Sequence, residues 1–357
     1  MKNIKKIFAI VMVLAMALAA VACSAPEPAD TEAPANATSA SDDQAARLAD
    51  GVNRVGFAFS NTMTSAIQAT ATAFEAKCAE LGFDDVIVLG AEDKVETQIS
   101  QIRDLITANC DVICIYSADP DAIVSAVEAC NDAGIPVITV DRVVNGGDIF
   151  YYIGSDSFND GRDVANYFAA SSGAAAEAGE TVKLLHIIGD LSSSAQADRA
   201  VGFRAGVEGW GHMEIVAEPA TDANPDKIYD AVIDAFSTNP DIGGIFVPYD
   251  DCLQSVVAAL KDLGKLYPIG TEGHVMLGSV DGCTEQLGWL VNEGYNDITM
   301  SLQFALQGEK AAEVAWDYIV NGNDSYAGNS YKTSSFLCTK YNVEYLSAQD
   351  GWLWGAK

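Results

Sequence analysis

An acid and a base stand side by side where an apolar segment ends, and this pair is well placed to do chemistry. The stretch GIPVITVDR runs through Val137–Val140 straight into Asp141 and Arg142. A carboxylate accepts hydrogen bonds and a guanidinium donates them in a fixed fork, so the pair suits a ligand with several hydroxyl groups. Adjacent side chains on an extended chain point to opposite sides, so we expect both to contact a ligand rather than each other. The alternative is a surface ion pair, which would contribute little.

Short apolar strands alternate with helices from residue 54 onwards, and these elements must position the pair. The segment RVGFAF predicts a strand, TSAIQATATAFEAKCAELG a helix that ends at Gly82, and DDVIVLG the next strand. This alternation predicts a parallel sheet covered by helices on both faces. The helix PDAIVSAVEACNDAG is expected to hold Pro120 in its first turn and to end before Gly134.

The same alternation continues to the segment LQFALQGEKAAEVAWDYIVNG and includes a predicted helix at CTEQLGWLVNEG. These are too many units for one compact sheet, so the sequence predicts two α/β lobes. Ligands of open parallel sheets bind beyond the carboxyl ends of the strands, where this chain carries hydroxyls, amides, acids, one Arg and one Tyr. That composition suits a neutral, polyhydroxylated ligand. The predicted strand tips are Ser60 and Asn61, Ser117–Asp119, Asp141 and Arg142, Asp190–Ser194, Tyr249–Asp251, and Asp281.

The charge of the chain excludes two classes of partner. The 357 residues carry a formal net charge of −30 at pH 7. Nucleic acid binding requires Lys and Arg against the phosphates, so no nucleic acid partner is expected. Adhesion to an anionic membrane by charge is disfavoured for the same reason. A strongly acidic surface suits solubility and neutral or cationic ligands.

The first 22 residues have the pattern of an export signal. Three Lys lie within MKNIKK, and an apolar run too short for a comfortable membrane span ends in AVAC at Cys23. We interpret residues 1–22 as a lipoprotein signal peptide and Cys23 as the lipid-modified residue. The alternative is an ordinary secretory peptide cleaved near Ala22. Residues 23–53 are rich in Ala, Pro, Ser, Thr and acid and are expected to form a flexible tether. The protein is therefore expected to be exported and lipid-anchored to the outer face of the cell membrane, or periplasmic.

The remaining cysteines and histidines favour packing over metal chemistry. Seven Cys follow Cys23, an odd number, and most stand in apolar or helical patterns. We expect them to be reduced core residues. With three His and no Cys–His spacing typical of zinc, neither a metal nor a cofactor is expected. His186 lies inside an apolar strand pattern, and His274 stands beside Glu272 in an irregular segment.

The order and spacing of several segments resemble the solute-binding proteins of bacterial ABC importers for sugars, of the ribose- and galactose-binding kind. The resemblance covers roughly residues 54–340. It implies a type I periplasmic binding protein fold, with two Rossmann-like parallel-sheet lobes joined by a three-strand hinge. We expect an N-terminal lobe of residues 54–157 plus about 304–333, and a C-terminal lobe of residues 158–303 plus about 334–357. The segments that carry it are GIPVITVDR, YIGSDSFNDGRDVANYFA, ADRAVGF, NPDIGGIFVPYDD, GSVDG and DITMSLQFALQGEKAAE.

The resemblance also implies a ligand site. It assigns sugar-hydroxyl contacts to Asp141 and Arg142, and further contacts to Asp281, Gln303 and Tyr249. From the strand tips alone, Asn61 and Asp119 are further candidates, although Asp119 is equally well placed as a helix N-cap.

One feature departs from the ribose-binding pattern, and one motif residue is expected to lie outside the ligand site. Ribose-type members carry adjacent aromatic residues after the first strand, where this chain has Ala66 and Ile67. This departure argues against ribose itself. Arg199 of ADRAVGF is expected to brace its own lobe rather than to touch ligand.

The function implied is capture of a sugar or related polyol and its delivery to ABC permease subunits, by a monomer that is not an enzyme. A receptor for chemotaxis or a two-component system would use the same pocket, and Arg142 could instead hold the carboxylate of an amino acid. A nucleoside is a further alternative ligand.

Overall fold

The computed structural model describes residues 51–283 and 294–348, which form two six-stranded sheets with helices between the strands. The predicted α/β architecture is confirmed, and the strands follow the apolar segments of the sequence closely. The strands are β1 (Arg54–Phe59), β2 (Asp85–Gly90), β3 (Val112–Tyr116), β4 (Val137–Val140), β5 (Tyr151–Gly154), β6 (Val182–His186), β7 (Met213–Ala217), β8 (Ile242–Phe246), β9 (Met276–Asp281), β10 (Ile298–Ser301), β11 (Asn329–Lys332) and β12 (Phe336–Cys338).

The helices follow the predicted helical segments, with one start shifted. The helix predicted from Pro120 begins only at Val124, because Pro120–Ile123 form a turn rather than the first helical residues. A predicted helix at CTEQLGWLVNEG falls largely on residues 284–293, which lie outside the described residues. The helices are α1 (Ser65–Leu81), α2 (Val95–Thr107), α3 (Val124–Asp132), α4 (Ser157–Ser171), α5 (Gly173–Ala178), α6 (Ser194–Glu208), α7 (Pro225–Thr238), α8 (Leu253–Asp262), α9 (Phe304–Asn321) and α10 (Val343–Ser347).

Each sheet is mainly parallel. The first has the order β11-β5-β4-β3-β1-β2, and the second has the order β12-β10-β9-β8-β6-β7. All pairings are parallel except that of β12 with β10. Within each sheet the strand order reverses where the chain crosses from one half of the sheet to the other. Open α/β sheets form their ligand crevices at such a position.

Alternating side chains of the strands fill two apolar layers on each sheet. In β1, Phe57 and Phe59 pack with α1 and α9 on one face, whereas Ala58 packs on the other face with α2 and α3. In β6, Leu184 and Leu185 likewise belong to opposite layers. Because both faces are buried, the strands are nearly continuous apolar runs, as the sequence indicated.

The chain passes between the two sheets three times. The connections run from β5 to α4, from β10 to α9, and from β11 to β12. This arrangement is the predicted three-strand hinge, and each connection is only a few residues long. Residues 1–50, which include the predicted signal, Cys23 and most of the tether, lie outside the described residues. Within the described ranges, no helix combines the length and apolarity that a membrane span requires.

A buried carboxyl group links two of the hinge connections. Asp160, in the first turn of α4, is 2% exposed and is hydrogen-bonded to Ser335, which lies between β11 and β12. Burial raises its pKa to about 7, opposed by the Ser335 hydrogen bond and by the charge of Arg199. An acid whose pKa is raised by folding is more readily protonated in the folded state than in the unfolded state.

The stability of the unliganded protein should therefore fall as pH rises from about 5 to about 7. In that window the folded state holds a proton on Asp160 that the unfolded state has lost, and each such proton contributes a slope of up to about 1.4 kcal/mol per pH unit. Urea unfolding at several pH values measures this slope. Asp160→Asn should make it shallower, because the amide does not titrate.

The control for this experiment removes one carboxylate from the same helix. Asp163→Asn makes the same substitution, Asp to Asn, at a side chain that is 40% exposed. It should leave the slope at its wild-type value. An equal slope in wild type and Asp160→Asn would contradict the assignment of the buried proton to Asp160.

Candidate functional site

A cavity of about 240 Å³ lies between the two sheets, at the carboxyl ends of their strands. Asn61, Asp141 and Arg142 of the first lobe line it, facing Tyr249 and Asp281 of the second lobe. These five residues come from four different strand tips, so the fold brings together residues far apart in sequence. The sequence therefore predicted five of the seven proposed ligand residues at positions that line one cavity.

Asp141 and Arg142 do not pair with each other. The backbone of Asp141 has a φ of +61°, so the chain leaves β4 in a left-handed conformation rather than the extended one expected from the sequence. The Asp141 Oδ2 atom accepts a 2.5 Å hydrogen bond from the hydroxyl of Tyr116. Arg142 Nη1 donates to the backbone oxygen of Ser117 at 3.0 Å, and its guanidinium carbon lies 5.2 Å from the Tyr116 ring centroid.

Each of the two side chains keeps one buried polar atom for the cavity. Among the described residues, Asp141 Oδ1 and Arg142 Nε have no hydrogen-bond partner, although both atoms are buried. Asp141 as a whole is 5% exposed. Buried polar atoms are nearly always hydrogen-bonded, so these two atoms mark a place where a polar ligand would bind.

The second lobe presents a buried ion pair to the same cavity. Arg199 Nη2 lies 3.0 Å from Asp281 Oδ1, and Arg199 Nη1 donates to the backbone oxygen of Pro248. Burial raises the pKa of Asp281 to about 6, opposed by Arg199 and reinforced by the charge of Asp141 across the cavity. Arg199 Nε lacks a partner among the described residues. Arg199 thus braces its lobe, as expected, and also lines the cavity, which the sequence did not predict.

A network behind Asp281 fixes the turn that carries it. Asp250 is 1% exposed, and its Oδ1 accepts hydrogen bonds from the hydroxyls of Ser279 and Thr299. Its Oδ2 accepts from the backbone N–H of Cys283 at 2.6 Å. Asp281 itself has a φ of +109°, a strained conformation for a residue other than glycine. We therefore assign Asp250 the role of holding this turn.

Two predicted ligand residues do not line the cavity. Asp119 uses its Oδ1 to accept from the backbone N–H groups of Asp121 and Ala122, so it caps the turn before α3. This is the capping role that its position before Pro120 allowed. Gln303 is the residue before α9 and lies outside the lining, whereas its neighbour Phe304 lines the cavity.

Residues that the sequence did not select complete the lining. Tyr116 is the last residue of β3 and stands one position before the predicted tip, and Phe304 stands one position after the predicted Gln303. Asp93 follows β2, whose tip was not among the strand tips predicted from the sequence. Its carboxylate accepts a hydrogen bond from the Asn61 amide at 2.9 Å. Strand ends carry an uncertainty of one or two residues, which accounts for the first two omissions.

The cavity has an excess of negative charge and lacks stacked aromatic residues after β1. Ala66 and Ile67 line it at the position where the ribose-type pattern has aromatic rings. Arg142 and Arg199 are outnumbered by five lining aspartates, which are Asp93, Asp141, Asp190, Asp222 and Asp281. A neutral ligand is therefore favoured over an anionic one.

The histidines and cysteines contribute to the lobes and not to the cavity. His186 is fully buried and contacts Glu218 Oε1 through Nδ1 at 2.8 Å. His274 contacts the Tyr267 backbone oxygen and Asp297. All seven cysteines of the described ranges are buried free thiols, and no group of three metal-ligating side chains occurs in those ranges.

A comparison with protein families identifies the family to which this chain belongs. Residues 55–324 match the family described as periplasmic binding protein domain, so the chain is a member of that family. The predicted resemblance is thereby confirmed. The ribose import binding protein of Salmonella typhimurium is 28% identical over 243 residues, which are 68% of this chain and 76% of that protein. A D-apiose import binding protein of Paraburkholderia graminis is 24% identical over 78% of this chain and 85% of its own length.

Solved structures share the fold over most of the chain. A solute-binding protein of an ABC transporter from Bacillus halodurans, with bound myo-inositol, has a TM-score of 0.72 and 23% identity. The alignment covers 82% of this chain and 96% of that chain. The myo-inositol binding protein of Caulobacter has a TM-score of 0.73 and 22% identity, covering 82% of this chain and 95% of that one. At these identities the likeness establishes the fold.

The Asp250 network leads to a stability prediction. Asp250→Ala removes the acceptor of the buried Ser279 and Thr299 hydroxyls, and an unsatisfied buried donor costs about 1–3 kcal/mol. We expect a loss of that size in the free energy of unfolding by urea. The neighbouring variant Asp251→Ala removes an exposed carboxylate and should cost less than about 0.5 kcal/mol. Equal losses in the two variants would show that Asp250 does not hold the turn.

Proposed function

We propose that this protein is the substrate-binding component of an ABC importer that captures a sugar or related polyol and delivers it to the membrane permease. The observation that carries this proposal is the cavity between the lobes. There Asp141 Oδ1 and Arg142 Nε are buried, have no partner within the described part of the chain, and lie opposite the Arg199–Asp281 pair. Acceptors and donors that alternate in this way suit hydroxyl groups, each of which can donate and accept. The relatives named as ribose and D-apiose import binding proteins support the same class of ligand.

The size and charge of the cavity narrow the ligand. Its volume of about 240 Å³ lies below the roughly 300–1,000 Å³ of sites for drug-sized molecules, so a single sugar ring fits better than an oligosaccharide. The excess of aspartates disfavours sugar acids. An amino acid, whose carboxylate could pair with either guanidinium, is one alternative ligand, and a nucleoside is another. We assign Asp141, Arg142, Asp281 and Tyr249 as ligand contacts.

The two lobes would close on the ligand about the three hinge connections. We place residues 54–157 with about 304–333 in one lobe, and residues 158–303 with about 334–357 in the other, a division supported by the membership of the strands in the two sheets. Two hydrogen bonds join the lobes across the cleft. The Val143 N–H donates to Ser194 Oγ at 3.1 Å, and Ser65 Oγ donates to Asp251 at 3.4 Å.

Ligand binding should raise the melting temperature of the protein, because a ligand bound only to the folded state stabilises it. A screen of sugars, cyclic polyols, nucleosides and amino acids by thermal shift identifies the class, and calorimetry gives the affinity. Asp141→Ala and Arg142→Ala should each weaken binding about 10- to 100-fold, since hydrogen bonds to charged groups contribute about 1.5–3 kcal/mol. Incubation of the protein with the bound compound, followed by mass spectrometry of the solution, reports any product formed.

The matched control is Asp119→Ala, a carboxylate that caps a turn away from the cavity. It should keep wild-type affinity. Retained affinity in both Asp141→Ala and Arg142→Ala would refute the site, and a response to amino acids alone would refute the sugar class. Turnover of the ligand would refute a purely binding function.

We also propose that Cys23 carries a lipid that anchors the protein to the outer face of the cell membrane. The apolar run before AVAC supports this assignment. Full-length protein expressed in a bacterium should enter the detergent phase on phase separation. Cys23→Ser should move it to the aqueous phase while leaving ligand affinity unchanged. Wild-type protein in the aqueous phase would favour an ordinary secretory peptide cleaved near Ala22.

A further inference from the structure

The hydroxyl of Tyr116 is hydrogen-bonded to one of the two carboxylate oxygens of Asp141, the principal proposed ligand residue. It ends β3, and Asp141 directly follows the neighbouring strand β4, so the two side chains emerge together at one edge of the sheet. Tyr116 is 3% exposed, lines the cavity, and donates its hydroxyl to Asp141 Oδ2 at 2.5 Å. Oδ2 of that carboxylate thus already accepts one hydrogen bond, whereas Oδ1 has no partner among the described residues.

The Tyr116 hydroxyl is a hydrogen-bond donor throughout the neutral pH range. Burial, reinforced by the charge of Asp141, raises the pKa of Tyr116 well above its ordinary value of about 10. A phenol that keeps its proton beside a carboxylate acts as a permanent hydrogen-bond donor to it. The Oδ2 atom is thus engaged whether or not a ligand is present.

The ring of Tyr116 also determines where Arg142 lies. The guanidinium carbon is 5.2 Å from the ring centroid, within the range of cation–π attraction, while Nη1 is held by the Ser117 backbone oxygen. The guanidinium therefore has two fixed contacts. Its Nε atom has no hydrogen-bond partner among the residues that the structure describes. Ring and hydroxyl together fix both members of the Asp141–Arg142 pair.

We infer that Tyr116 is a specificity-determining residue, which holds Asp141 Oδ2 in a hydrogen bond and so favours ligands that place a single hydroxyl on Oδ1. The inference rests on the proposed function, because it concerns the same cavity. A sugar whose two neighbouring hydroxyls both need Asp141 must share Oδ2 with the Tyr116 hydroxyl. A ligand that places one hydroxyl on Oδ1 and a neighbouring oxygen beside Arg142 does not compete with Tyr116 for Oδ2.

The test compares two Tyr→Phe variants. Each removes one hydrogen bond to Asp141, one at the carboxylate and the other at the backbone oxygen. Tyr116→Phe removes the donor to the carboxylate but keeps the ring under Arg142. Tyr152→Phe is the matched control, because the Tyr152 hydroxyl donates to the backbone oxygen of Asp141 at 3.0 Å and lies outside the cavity lining. Both variants are expected to fold, which circular dichroism and melting curves verify.

The probes are the tightest-binding sugar or cyclic polyol of the screen and its monodeoxy derivatives, each lacking one hydroxyl. Calorimetry gives the ratio of Kd for each derivative to Kd for the parent compound. In Tyr116→Phe a second hydroxyl gains access to Oδ2, so the ratio at one position next to the Asp141-bound hydroxyl should rise about tenfold over wild type. In Tyr152→Phe every ratio should stay at its wild-type value.

A double variant shows whether the effect passes through the carboxylate. In the Asp141→Asn background, Tyr116→Phe should no longer change any ratio. Identical ratios in Tyr116→Phe and wild type, for a protein that binds sugars, would overturn this inference and leave the proposed function standing. A wild-type protein that binds only amino acids would overturn both.

Discussion

The polarity of a parallel sheet is the constraint on which the rest of this structure depends. When neighbouring strands run in the same direction, the residues that follow them all emerge at one edge. Two such sheets joined by three short connections turn these edges toward each other, so that Asp141 and Arg142 of one sheet face Arg199 and Asp281 of the other. The cavity is thus a consequence of strand direction and connection, and the side chains determine only what it binds.

Buried charge is the second determinant, because a charge removed from water needs a partner. Arg199 is paired with Asp281, and Arg142 is held by a backbone oxygen and an aromatic ring. The protein provides most, but not all, of the hydrogen bonds that these groups require. A ligand that supplies the rest gains affinity from polar atoms already fixed in position, which lowers the cost of ordering them on binding.

The sequence predicted the elements well because continuous apolar runs and helix ends are local signals. Gly82 ends α1 with a φ of +93°, as its position indicated. The site was predicted less completely, because lining residues depend on strand ends to within one position. Tyr116 stands one residue before the predicted strand tip Ser117–Asp119. Phe304 stands one residue after Gln303, to which the resemblance to the family assigned a ligand contact. The +61° φ of Asp141, which no local pattern indicates, changed how the Asp–Arg pair is oriented.

A crystal structure of the protein with its tightest-binding sugar or cyclic polyol tests the central claim most directly. The account predicts one ligand ring between the sheets, with a hydroxyl oxygen at hydrogen-bond distance, about 2.5–3.0 Å, from Asp141 Oδ1. It also predicts ligand oxygens beside Arg142 and beside the Arg199–Asp281 pair. A ligand bound elsewhere on the molecule, or one in the cleft that leaves Asp141 and Arg142 without a ligand contact, would contradict it.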